Sequence, residues 1–270
     1  MAVLAAFESR AVLEKEAALD TATERLSNAL RRAFAKQERI LLAELRPLRS
    51  RFAALESPRP VSDTEWQVAL AVALASTQDE ILAAWAAGVT DAMMIGGGMA
   101  AADFQIAFDI EHPRAAAYLR AEGAKMITRI EATTRRRVER EIGKMLDEGV
   151  GWPEFAKRLR AKFRHFREKK PQRHIRDRAD LIAVTETGNA FEAASEIVGL
   201  DLESAGIPME KSWLTVGDER VSDGCKANQA RGWIAIRELF PSGHSRPLRF
   251  SGCRCTSLRQ IVRDRDGDGD

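Results

Sequence analysis

The chain has 270 residues, 45% of them apolar and 30% charged, with a net charge of only +2, so it can bury a core as one or two domains and its global charge demands no nucleic-acid partner. Its apolar stretches, Val68 to Ala75 and Ile81 to Val89, are interrupted by Ser76 to Glu80 and stay short of the ~20 residues that span a bilayer, while Glu8 and Arg10 truncate any signal-peptide core. A protein without a membrane span, staying in the cytoplasm where it is made, is therefore expected, and three cysteines, an odd number, argue for reduced thiols or a metal rather than a disulfide framework.

From residue 3 to 55, apolar positions such as Leu19, Leu26, Leu30, Phe34, Leu41 and Leu45 recur at spacings of three, four and seven, which predicts a long helix that Pro47 kinks or ends. After a loop at Ser57 to Pro60, Ser62-Asp-Thr-Glu65 has the spacing of a capping box, and a second helix is expected over 63–92, its many alanines permitting close helix packing. Gly96-Gly-Gly98 should break that helix as a hinge; no Lys follows it, so a phosphate-binding loop is not expected. Pro113 opens a helix whose apolar face runs from Ala117 to Met145, ended by Gly149-Val-Gly151. Trp152-Pro153 opens another, with Phe155, Leu159 and Phe163 on its apolar side, and a further helix starts near Asp177 and is closed by Gly199 and Gly206-Ile-Pro208.

Beyond Pro208 the composition shifts to Trp213, Trp233, Phe240 and Phe250 among turn signals, which predicts a compact α+β module with strands near 210–216, 233–236 and 253–258 and a short helix between Ser222 and Arg231. The fold expected is thus mainly α: long N-terminal helices or a helical bundle over 1–98, a helical core over 99–208, the small α+β module over 209–262 and a disordered acidic tail over 263–270.

Several groups invite a chemical reading. Cys225, His244, Cys253 and Cys255 can be drawn together as a Cys₃His zinc site, although paired Cys-x-x-Cys knuckles are missing and two thiols on one strand face pack equally well as small hydrophobes. Glu186, between two threonines, has the place of a catalytic acid but no His or Asp at useful helical spacing; the alternative is a structural pairing with Arg178 or Arg220. The stretch 157–178 concentrates positive charge in Lys157, Arg158, Arg160, Lys162, Arg164, Arg167, Lys169, Lys170, Arg173 and Arg176, suited to DNA phosphates, to an acidic partner protein, or to a solvated linker.

One further pattern is the order of landmarks. His112 to Leu119 with Gly123, Gly149-Val-Gly-Trp152, Arg178-Ala179, Thr185-Glu186-Thr187, Trp213, Asp218, Arg220-Val221, Gly232 and Cys253-Arg-Cys255 together resemble the head-morphogenesis proteins of tailed phages, the phage Mu F-like or minor head family, over about residues 110–258. Two departures stand out: Ser222 occupies the place of the first cysteine of a Cys-x-x-Cys, and Phe250 that of a histidine. The resemblance implies a non-enzymatic, low-copy assembly component in the host cytoplasm and then the virion head. It would bind the portal and other prohead proteins and touch packaged DNA, with Arg178, Glu186, Trp213, Asp218, Arg220 and Gly232 as framework. The competing readings are a hydrolase or transferase built around Glu186 and a non-specific DNA-binding protein.

Overall fold

The computed structural model describes residues 2–52, 61–172 and 175–262. It is 68% helical with one small sheet, the mainly α architecture with an α+β C-terminal module that the patterning predicts. The loop at 57–60, the acidic tail and Arg173 lie outside the described residues.

Among the described residues seven α-helices and three strands follow in order: α1 (Ala2–Leu45), α2 (Asp63–Ala75), α3 (Gln78–Ala102), α4 (Pro113–Asp147), α5 (Trp152–Glu168), α6 (Arg178–Ser204), β1 (Met209–Leu214), α7 (Asp223–Ala230), β2 (Ile234–Ala235) and β3 (Thr256–Ile261). Pro47, lacking an N–H, turns the chain out of α1 into a 3-10 turn over Arg46–Arg51. The capping box at Ser62 forms: the Ser62 hydroxyl accepts from Glu65 N at 3.4 Å while the Glu65 carboxylate accepts from Ser62 N at 2.9 Å. Arg51 clamps the same carboxylate and, with Ser62, holds it down to about 2.

Three expectations about helix ends are corrected. The helix expected over 63–92 is two, because Ser76 and Thr77 turn their hydroxyls back onto Ala73 O (2.7 Å) and Leu74 O (3.2 Å) and compete with the ladder. Gly96 to Gly98 do not break α3 but lie inside it. A Cβ on Gly96 would sit 2.4 Å from the Phe191 carbonyl oxygen, so this glycine is what lets α3 press against the backbone of α6. Gly199 likewise lies within α6, facing Ile236 and Arg259. Asp63–Ala102 contains an 18-residue window of mean hydropathy 1.3, long and apolar enough by composition to cross a membrane, of which 44% is buried inside the protein.

Where the sequence suggests consecutive regions, the contacts group the chain into two compact units of interleaved segments, because α1, α3, α4 and α6 each contribute to both. The first unit comprises 1–24, 87–119 and 182–270; the second comprises 25–86 and 120–181.

The second unit is helical. Leu26, Leu30, Phe34 and Leu41 of α1 are buried, as are Leu70 of α2, Val138 and Ile142 of α4 and Phe155, Phe163 and Phe166 of α5. Phe34 and Phe166 meet with ring centroids 5.5 Å apart, and Phe52 and Phe155 at 4.3 Å. The first unit contains the antiparallel sheet, ordered β2-β1-β3, in which Trp213 pairs with Ser257 and Lys211 with both Ile234 and Arg259. Alternation puts Met209, Lys211 and Trp213 on one face of β1. One apolar cluster joins α3 and α6 to this sheet through Ala101, Val198, Leu202, Met209 and Ile236; another gathers Trp213, Cys225, Ile234, Phe240, Cys253 and Cys255.

Candidate functional site

The module is held to α6 by a polar stripe. Thr185, Asn189, Glu192 and Glu196 recur at spacings of four, three and four, which places them on one helical face. Each meets the C-terminal segment: Thr185 Oγ1 accepts from Gly252 N (3.0 Å), Asn189 Oδ1 from Leu248 N (3.5 Å), and Glu196 pairs with Arg246 at 2.6 Å. Glu192 is the centre. Fully buried, it accepts from Thr256 Oγ1 at 2.7 Å and Ser257 Oγ at 2.6 Å and pairs with Lys15 Nζ of α1 at 2.8 Å. Lys15 also donates to Cys255 O at 2.8 Å and lies over the Phe191 ring. Its charge is satisfied on every side, as a buried pair requires.

The pairing expected of Glu186 with Arg178 is not made. Glu186 is half-buried, and six residues on Glu192 ties the helix to the module. Arg178 cannot reach Glu186 along the helix, since eight residues span about 12 Å. It is instead buried in the helical unit, donating to Thr134 Oγ1 (2.9 Å) and Ile130 O (3.3 Å) between the rings of Phe34 and Phe166, with its guanidinium 5.0 and 4.9 Å from their centroids. Burial pushes it down to about 9. Arg220 is exposed and gives its backbone N–H to Asp218. Asp218 takes a tighter bond from Arg254 at 2.6 Å, and that guanidinium holds its carboxyl below the usual range. Gly232 follows the C-cap of α7 with φ +71°, a left-handed turn that only glycine enters without strain.

Of the four residues drawn together as a metal set, the fold unites three. The Cys225, Cys253 and Cys255 sulfurs lie within 4.8 Å of one another, all buried. His244 is not among them: its Nδ1 sits 2.9 Å from Ser242 O and 3.0 Å from Ser242 Oγ, tying the ring to its own turn. Cys253 and Cys255 do not lie in a strand; they form the extended lead-in to β3, which starts at Thr256. The Cys255 thiol and the backbone N–H groups of Cys255 and Arg249 bond the Cys253 sulfur and hold it down to about 5, while the same thiol bond and burial push Cys255 up. Burial also raises Cys225.

Lys211, missed in the sequence because strand positions rarely bury a lysine, is fully buried beneath Phe240, 5.5 Å from the ring centroid. It donates to Ser245 O at 2.7 Å, and burial pushes it down to about 8 despite Glu196 at 3.9 Å. The spacing of polar residues along α6 is the signal that marks Glu192; nothing local marks Lys15 or Lys211.

Five of the nine described cations of the basic stretch form ion pairs within the helical unit. Arg158 pairs with Glu148 and Glu154, Lys157 with Glu154, Lys162 with Glu141, Arg167 with Glu38 and Arg176 with Asp180. Arg160, Arg164, Lys169 and Lys170 are exposed and in no ion pair among the described residues.

Compared with known proteins, the chain matches no family model, no curated protein and no solved structure.

Proposed function

We propose that this chain is a minor head protein of a tailed phage, a binding component of prohead assembly rather than an enzyme. The observation that carries the reading is that landmarks dispersed in sequence are contact partners in space. Thr185 receives Gly252 N beside Cys253, Asp218 receives Arg254 from within Cys253-Arg-Cys255, and Trp213 shares one buried apolar cluster with all three cysteines. Such residues build a rigid platform, and a platform suits docking onto the portal in the host cytoplasm and retention in the virion head. The exposed Arg160, Arg164, Lys169 and Lys170 supply sequence-independent contacts to DNA phosphates.

Proheads assembled with and without the protein test the reading: it should co-purify with proheads and be retained by immobilised portal. Absence from both overturns it. A measurable turnover abolished by Glu186→Gln in a folded protein would favour the enzyme reading instead. For the DNA contacts, neutralising all four exposed cations should weaken binding uniformly across sequences and flatten the slope of log K against log salt by about 3 to 4.

A further inference from the structure

We propose that Cys225, Cys253 and Cys255 are the protein ligands of a structural zinc ion, with the fourth corner of the tetrahedron beside Ser222. This rests on the geometry of the thiol cluster alone and is independent of the assembly role.

A tetrahedral zinc with Zn–S bonds of about 2.3 Å sets its sulfurs roughly 3.8 Å apart. Here the Cys225 and Cys253 sulfurs are 4.0 Å apart, and all three lie within 4.8 Å of one another, so shifts of tenths of an ångström to an ångström, within reach of small χ1 rotations, complete the set. The ligands come from two segments, the first turn of α7 and the lead-in to β3, which a bound ion would tie together in a module with only a three-stranded sheet. Such a module gains folding energy from a metal more readily than from added core.

Plain apolar packing accounts poorly for the surroundings of these sulfurs. The indole Nε1 of the fully buried Trp213, in the same apolar cluster as the three cysteines, has no hydrogen-bond partner among the described residues. A buried N–H donor left unpaired is costly beside neutral thiols and less so beside thiolates, the form in which cysteine binds metal. Sulfur ligands in a tetrahedral arrangement select zinc over the hard cations, which take oxygen.

Ser222 defines the fourth position. It is the N-cap of α7, three residues before Cys225, and its hydroxyl oxygen accepts from the Cys225 backbone N–H at 3.4 Å and from Arg249 Nη1 at 3.2 Å. A neutral hydroxyl is a weak zinc ligand, so the site would hold three thiolates and an exchangeable water or hydroxyl.

The full-length reduced protein, titrated with Co²⁺ and then Zn²⁺, tests this. One equivalent of Co²⁺ should give a sulfur-to-cobalt charge-transfer band and the visible bands of a tetrahedral ion, both lost on adding Zn²⁺. Ser222→Cys should strengthen the charge-transfer band by about a third and tighten binding by at least about tenfold, because a fourth thiolate replaces a hydroxyl. Cys255→Ser should weaken both; if that variant does not fold, the wild type and Ser222→Cys decide. The proposal is overturned if wild type shows no charge-transfer band, including the case in which Ser222→Cys alone binds, since the native chain then lacks the site.

Discussion

The helical unit and the unit holding the C-terminal sheet each bury a cation from α1 or α6, and they satisfy it by different means. In the helical unit Arg178 has no carboxylate partner among the described residues: two aromatic faces, a hydroxyl and a helix carbonyl surround it, and it yields by lowering its pKa to about 9. In the other, Lys15 keeps a counter-ion, Glu192, and two hydroxyls satisfy the remaining lone pairs. The first arrangement depends on ring packing and tolerates loss of its charge; the second is a closed network in which removing one member strands another.

Glu192→Gln therefore carries the largest expected effect, a loss of about 3–5 kcal/mol in chemical denaturation, since Lys15 is left charged and unpaired in the interior. Arg178→Met should change stability by less than about 1 kcal/mol, because no carboxylate is abandoned. Equal losses for the two would erase the distinction. Next comes the close approach of α3 to α6: Gly96→Ala should cost roughly 1–3 kcal/mol by forcing the backbones apart. Gly98→Ala, with nothing within 4 Å of the added Cβ, should stabilise by up to about 1 kcal/mol in the same thermal melts. In the helical unit Ser62→Ala removes the capping box and should cost about 1 kcal/mol.

The last expected effect is a pH dependence seated in the sheet-bearing unit. Lys211 falls from 10.5 to about 8 through burial, against Glu196 and Glu238 and alongside Arg259 and Arg246. Between these values the unfolded chain holds a proton that the folded one has released, so stability rises from about pH 8 and levels off above 10.5. Below pH 8 both states carry the proton and this group contributes no slope. Denaturation midpoints from pH 7 to 10.5 should rise more steeply in wild type than in Lys211→Met, the difference lying between about pH 8 and 10.5.

How legible each region was follows from the range of its interactions. The capping box at Ser62, the end of α1 at Pro47 and the start of α4 at Pro113 act within a few residues, and local chemistry decides them in any context. The three short strands and α7 could likewise be placed, because the turn residues around them are local signals. Gly96 to Gly98 were misleading for the opposite reason: glycine weakens a helix, but the helix continues because the missing Cβ admits Phe191, a residue 95 positions away.

By itself, then, the sequence determined most of the elements, the helical class and the small C-terminal module, since periodicity, caps and turns are properties of neighbouring residues. Only the tertiary structure decided which carboxylate is the lock, which three of four metal-type residues meet, and which cations remain exposed. Those outcomes depend on side chains far apart in the chain, such as Lys15 and Glu192 or Cys225 and Cys253, and no local pattern encodes the partner of a buried charge or of a thiol.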